Sequence, residues 1–257
     1  MTVDPLLVDL YADDFGGKPN IAALVAAGLP WAGVIFKVSE GTGYPSGADR
    51  EWILDYWLSG RMAAGARYGK TWFRGGYHYL RIGQDGAAQA KFFLSIVDQA
   101  GGWGAGDLWP MIDVEGANNP PDASAQQIVD CVSAFAEAIG STLGRACCLY
   151  GNQYLAERGV TSTMRCGALV IPRYTPTLPA EIYERIGWKI ASPAAMPTVF
   201  GWQYSGDPEG GELAGYPTKS PLSSTENSDI TAMIVAGGGQ AALDWTSANL
   251  MSLPPAS

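Results

Sequence analysis

Eight short apolar runs recur along this chain, and their spacing narrows the fold more than any other feature. They are Leu6–Tyr11, Gly33–Ser39, Gly76–Leu80, Trp109–Glu115, Ala146–Tyr150, Ala168–Tyr174, Phe200–Tyr204 and Asp229–Met233. Several are continuous rather than alternating, the pattern of strands buried on both faces in a parallel sheet. Helical stretches fall between them: Arg50–Tyr68, Asp85–Ala100, Ser124–Ile139 and a weaker Pro179–Ile186. Ser124 followed three residues later by Gln127 predicts a capping box at the start of the third. Strands alternating with helices over 257 residues predict an α/β protein, a single irregular (β/α) barrel of TIM-barrel-like form. The barrel is expected to occupy residues 1–249, with a flexible tail at 250–257. Irregularity is expected because the first two strands are joined by a connection short for a crossover helix, and because Gly206–Ser228 is long and loop-like.

The fourth run ends in two carboxylates, Asp113 and Glu115, spaced i, i+2. Side chains alternate along a strand, so both would point to one face with Cβ atoms roughly 7 Å apart. Gly116, Asn118, Asn119, Pro120 and Pro121 then stop the strand, which puts the acids at its C-terminal end. Two acids crowded there push their pKa values apart, leaving one a proton donor and the other ionised. That is a glycosidase layout, although two acids on a strand also describe a solvated edge. Within the first run Asp9 ends the apolar stretch Leu6-Leu7-Val8, and Asp229 opens the last run. First and last strands are neighbours in a closed barrel, so these two could meet across the seam. Asp229 nevertheless starts its strand, the wrong end for a site at the C-terminal mouth of a regular barrel.

Other chemistries are excluded. A net charge of -9 without any basic cluster argues against nucleic-acid or anionic-membrane partners, which need grouped Lys and Arg. Apolar stretches are interrupted well before ~18 residues, so no membrane insertion is expected. His78 is the only histidine, which rules out multi-histidine metal sites; separately, no metal and no cofactor is expected. A hydrogen-bonded structural histidine near the barrel interior is its expected role. Cys131, Cys147, Cys148 and Cys166 form no CxxC pair and are read as buried free thiols. Gly65–Thr71 lacks the first glycine of a phosphate loop, with Ala64 in its place, and Gly102–Gly106 precedes a strand rather than a helix. Tyr77, Tyr79, Tyr150, Tyr174, Trp202 and Tyr204 fall in or beside strands. Most aromatics there are core, yet an apolar face with a polar edge also suits a sugar-lined cleft.

The ordered segments VDLY (8–11), FKVSEGTGY (36–44), GGYHYLR (75–81), PMIDVEG (110–116), LYGN (149–152), IPRY (171–174), WQYS (202–205) and SDI (228–230) together resemble glycoside hydrolase family 25. These are the Chalaropsis-type lysozymes, N-acetylmuramidases of bacteria, fungi and bacteriophages. The resemblance covers about residues 6–235. It implies an irregular barrel with the site at the C-terminal mouth and cleavage of the β-1,4 bond between N-acetylmuramic acid and N-acetylglucosamine in peptidoglycan. It implies Glu115 as proton donor, Asp113 as its companion, and Asp9 and Asp229 as the acids of the first and last strands. Tyr77 and Tyr150 match tyrosines lining the cleft, and Trp202 an aromatic beneath the sugar; Tyr174 is a further candidate for sugar contact. Family 18 chitinases would need aspartates where Leu108 and Met111 stand.

The resemblance further suggests substrate-assisted chemistry by the acetamido group. A catalytically silent barrel that only binds wall glycan, for example in a virion, is the alternative. The N-terminus has no basic region followed by an apolar one, so synthesis in a host cytoplasm is expected. Action on the wall would then follow release as an endolysin or delivery with a virion. A monomer is expected.

Overall fold

The computed structural model describes residues 5–11, 20–28, 30–45, 73–104, 107–151, 153–160, 166–172, 198–206, 217–222 and 228–233, with most of 47–57 and residues 164 and 174. All eight expected strands form and close into one barrel in chain order. They are β1 (Leu6–Leu10), β2 (Trp31–Glu40), β3 (Phe73–Tyr79), β4 (Met111–Asp113), β5 (Cys147–Tyr150), β6 (Cys166–Pro172), β7 (Thr198–Ser205) and β8 (Asp229–Met233). From β1 to β7 each strand pairs parallel with the next. β8 runs antiparallel to both β7 and β1. The expected irregularity therefore lies at the seam.

Four helices are described: α1 (Ile21–Ala27), α2 (Gly86–Gln99), α3 (Ala125–Leu143) and α4 (Gln153–Glu157). α1 corrects the expectation for the first connection, which does hold a helix of 7 residues. Its sequence, IAALVAA, has no polar face, so the usual period is invisible, but Asn20 caps it by accepting the Ala23 N–H at 3.3 Å. The capping box of α3 is present in both directions between Ser124 and Gln127. Residues 49–57 are helical where described. The rest of the expected helix to Tyr68, the whole of Pro179–Ile186 and residues 234–257 lie outside the described residues. So do the expected boundary at 249 and the tail at 250–257. Among the described residues no helix is long and apolar enough to cross a membrane.

Two cores explain the continuous apolar runs. Leu6, Val8, Leu10, Val34, Phe36, Val38, Ile112 and Leu149 belong to the core shared with the helices. Leu7, Ile35, Met111 and Cys148 belong to a second core with Phe73, Leu108 and Val170. Each strand thus feeds the two cores in alternation, as its period of 2 requires. α2 and α3 pack closely outside the barrel, where a Cβ on Gly86 would collide with the Cys131 carbonyl oxygen. His78 is fully buried, but on the helix side rather than toward the barrel interior. It hydrogen-bonds Ser39 Oγ at 2.8 Å and Gln89 Oε1 at 3.0 Å, and stacks on Phe135. Burial lowers its pKa to about 4, so it stands neutral there. The four cysteines are free thiols, Cys166 half-buried and the others buried.

Candidate active site

Along four of the parallel strands, β1, β2, β4 and β5, a residue of the second core gives way, two positions later, to a polar one. Leu7 is followed by Asp9, Ile35 by Lys37, Met111 by Asp113 and Cys148 by Tyr150. Asp9, Lys37, Asp113 and Tyr150 all line one cavity of about 350 Å³ at the C-terminal ends of the strands. On β8 the order reverses, Asp229 coming first and Met233 last. That is what an antiparallel strand must do to present its polar end at the same mouth. Asp9 and Asp229 are direct cross-strand partners, which removes the difficulty raised by the position of Asp229. The local rule of alternation and the reversed direction of one strand together collect Asp9, Asp113 and Asp229 from three strands, with Glu115 just past the end of one of them.

Asp113 ends β4, whereas Glu115 lies two residues past it. The expectation that Glu115 sits within the strand is thus corrected: Gly116 and the following turn take the chain out of the ladder, although the Val114 N–H still donates to the Tyr150 carbonyl at 3.0 Å. Alternation nonetheless persists, with Asp113 and Glu115 in the cavity and Val114 in the outer core. Asp9 and Asp113 are both 7 % exposed. Thr231 donates to Asp9 Oδ2 at 3.4 Å. Asp113 Oδ1 is buried and receives no hydrogen bond among the described residues. Burial first, then the charges of Glu115, Asp9 and Glu40, push the Asp113 carboxyl well above the usual range, with Lys37 opposing. Burial also raises Glu115, opposed by Lys37 and by the neighbouring Tyr150 phenol. Two close carboxyls that both resist ionisation retain a proton at pH values where ordinary acids have lost theirs.

Lys37 is a functional candidate that the sequence reading missed. It is 8 % exposed, pairs with Glu40 Oε2 at 2.6 Å and lies 4.4 Å from the Tyr11 ring centroid and 5.0 Å from that of Tyr79. A signal was available: one charge inside the run Val34-Ile35-Phe36-Lys37-Val38 has no solvent face and must find a buried partner. Arg81 completes the arrangement with an ion pair to Glu40. Between them Lys37 and Arg81 outweigh burial and hold Glu40 below its usual pKa.

Tyr77, Tyr79, Tyr150 and Tyr174 line the cavity together with Tyr11, Met111 and Gln203. The Tyr150 hydroxyl donates to Gln203 Oε1 in the cavity that Glu115 and Tyr174 also line. Burial and the neighbouring Tyr174, Glu115 and Asp113 hold Tyr150 as a neutral phenol. Among the described residues Tyr174 is the exposed large aromatic, at 37 % exposure, and Gly206 leaves it room, since a Cβ there would strike its hydroxyl. Tyr77 stands at the register position beside Lys37 and Met111. Trp202 is placed in β7 between Ile171 and Ala232; its side chain is outside the described residues. Among the described residues no group of three or more His, Cys, Asp or Glu is arranged to hold a metal ion.

The profile of Glycosyl hydrolases family 25 matches residues 14–212. Solved structures with the same fold include a muramidase from Trichobolus zukalii, 23% identical with a TM-score of 0.63, covering 96% of this chain and 98% of that one. A bacterial lysozyme from Streptomyces coelicolor is 18% identical with a TM-score of 0.65, over 97% of this chain and 100% of its own. The catalytic domain of an endolysin from a bacteriophage of Listeria monocytogenes is 15% identical with a TM-score of 0.58, over 96% and 98%. At these identities the likeness is one of fold. No curated protein matches the chain.

Proposed function

Because the chain belongs to glycosyl hydrolases family 25, and is thus a glycosidase of the peptidoglycan-hydrolysing kind, we propose that it cleaves the β-1,4 bond between N-acetylmuramic acid and N-acetylglucosamine. Glu115 is the general acid that protonates the glycosidic oxygen, and Asp113 is the carboxylate that orients the substrate's acetamido group for attack at the anomeric carbon. The observation that carries this reading is the pair itself: two carboxyls in one cavity, both raised in pKa, with the Tyr150 phenol in the same cavity. In the free enzyme the pair holds a proton that Glu115, the less buried member, can deliver to a bound sugar. Ionised Asp113 would then face the positive charge that develops as the bond breaks. Tyr77, Tyr150, Tyr174 and Trp202 contact the sugar rings, and Asp9 and Asp229 hold hydroxyl or amide groups of the glycan.

The polymer acted on is bacterial cell-wall glycan, and the enzyme works on it as a released or virion-carried lysin, a role supported by likeness to an endolysin catalytic domain. The test is wall lysis by Glu115→Gln, with the new reducing ends identified. A loss of about 10²–10⁴-fold with muramic acid at the reducing end is expected. Near-normal lysis would remove Glu115 from the role, and glucosamine ends would change the bond assigned.

A further inference from the structure

Glu115 lies beyond the last ladder residue of β4, on irregular backbone, and something must fix where its carboxyl stands. Asn119, four residues on, is 7 % exposed in a turn whose neighbours Ala117, Asn118 and Pro120 are exposed. Its side-chain amide has two N–H groups and a carbonyl, and all are used. Nδ2 donates to the Glu115 carbonyl oxygen at 2.8 Å and to the Leu80 carbonyl oxygen at 2.9 Å, while Oδ1 accepts the Ile82 N–H at 2.8 Å. Two of those partners follow β3, so the amide ties the backbone of Glu115 to the exit of the neighbouring strand. Other bonds reach the same turn. Tyr79 donates to the Ala117 carbonyl, Arg81 to that of Asn118, and Tyr154 to that of Pro120 at 3.0 Å. They hold the turn's crown, whereas Asn119 bonds the acid residue itself.

We propose that Asn119 is a positioning residue, which through its amide sets the place of Glu115 in the cavity and thereby the rate of the chemical step. The proposal rests on Glu115 acting as the general acid. A shift of about 1 Å in a reacting group costs up to ~10²-fold in rate, and a buried, fully used amide is the means this turn has to prevent one. The groups facing the Glu115 carboxyl come from every adjacent strand: Lys37, Tyr79, Asp113, Tyr150 and Tyr174. Displacing Glu115 among them alters its titration as well as its reach.

The experiment compares wild type, Asn119→Ala and Asn119→Asp on soluble peptidoglycan fragments, together with a ¹³C-carboxyl titration of Glu115 in wild type and Asn119→Ala. Asn119→Asp keeps an acceptor for Ile82 and loses both donations. For both variants kcat is expected to fall about tenfold or more with KM held within about twofold, and the Glu115 titration midpoint is expected to move in Asn119→Ala. Ser124→Ala, which removes a helix cap from α3, should lower the thermal midpoint while leaving kcat and the titration unchanged. Unchanged kcat and an unchanged titration in folded variants would overturn the proposal. Failure of both variants to fold would also overturn it, by making Asn119 a structural residue only. Glu115→Gln in the same assay separates the two readings: if it retains activity the acid assignment fails, and the titration still decides whether Asn119 places Glu115.

Discussion

The barrel buries charge at both ends and treats it in opposite ways. At the N-terminal end of β3, Arg74 grips Asp107 with two hydrogen bonds of 2.7 and 2.6 Å. The guanidinium also donates to the Trp57 carbonyl and lies 3.9 Å over the Trp57 ring, and Asp107 accepts the Gly104 N–H at 2.7 Å. The pair is 2 % and 4 % exposed, and its charges are matched by geometry. At the C-terminal mouth, Asp113 is as deeply placed but faces Glu115 and Asp9, like charges, and shares the Lys37 cation with Glu40. One end sets opposite charges against each other. The other crowds like charges, resists their ionisation, and keeps a proton available. A buried ion pair and a buried acid cluster thus mark a structural and a chemical use of the same costly groups.

The contrast can be broken most forcefully at the mouth. Asp113→Asn is expected to lower turnover about 10²–10⁴-fold, measured as reducing ends released per folded molecule. It should not destabilise the protein at neutral pH. A carboxyl with a raised folded pKa makes the native state bind more protons than the unfolded chain, so its contribution is lost as pH rises through that folded pKa. A neutral amide removes that loss. His78 has the opposite sign: its pKa is lowered from 6.5 to about 4, so stability falls as pH drops through that window. In Asp113→Asn the slope from His78 is less opposed, and urea unfolding between those pH values should show stability rising more steeply with pH than in wild type. A flatter slope would contradict the shifted acid.

Asp107→Ala is the reverse experiment. It removes the carboxylate that makes two hydrogen bonds to the buried Arg74 guanidinium, and should cost about 3–5 kcal/mol of unfolding free energy, while kcat of the remaining folded enzyme stays near wild type. The smallest effect sharpens the comparison instead of breaking it. Lys37→Met withdraws the cation that lowers both carboxyls, so the alkaline limb of the activity profile should move to higher pH. Movement to lower pH would mean that Lys37 acts on the acids in some other way.

The strands were readable because each feeds two apolar cores, which leaves a run too hydrophobic to be a loop and too short to be a helix of this size. Asp113, Glu115, Asp9 and Asp229 were readable because acids at the ends of such runs are conspicuous. The direction of β8 was not, since SDI carries no mark of parallel or antiparallel pairing, and only closure of the barrel decides it. α1 escaped because a helix without a polar face has no period to detect. Lys37 carries no motif of its own within its strand run, and Asn119 reads as an ordinary loop residue. Its hydrogen-bonding partners, at Leu80 and Ile82, are more than thirty residues away along the chain. Local pattern finds groups that are unusual where they stand. It does not find those whose importance comes from what another segment brings to them.

The antiparallel seam also orders events in time. A nascent chain that has emerged only as far as β7 has two open sheet edges, one on β1 and one on β7, and its Asp9 lacks the partner strand that carries Asp229. Arrival of β8 closes both edges and completes the acid cluster in one step. The last of the eight described strands to leave the ribosome is therefore both the zipper of the barrel and the arming of its chemistry, and a chain without it is sticky before it is ever active.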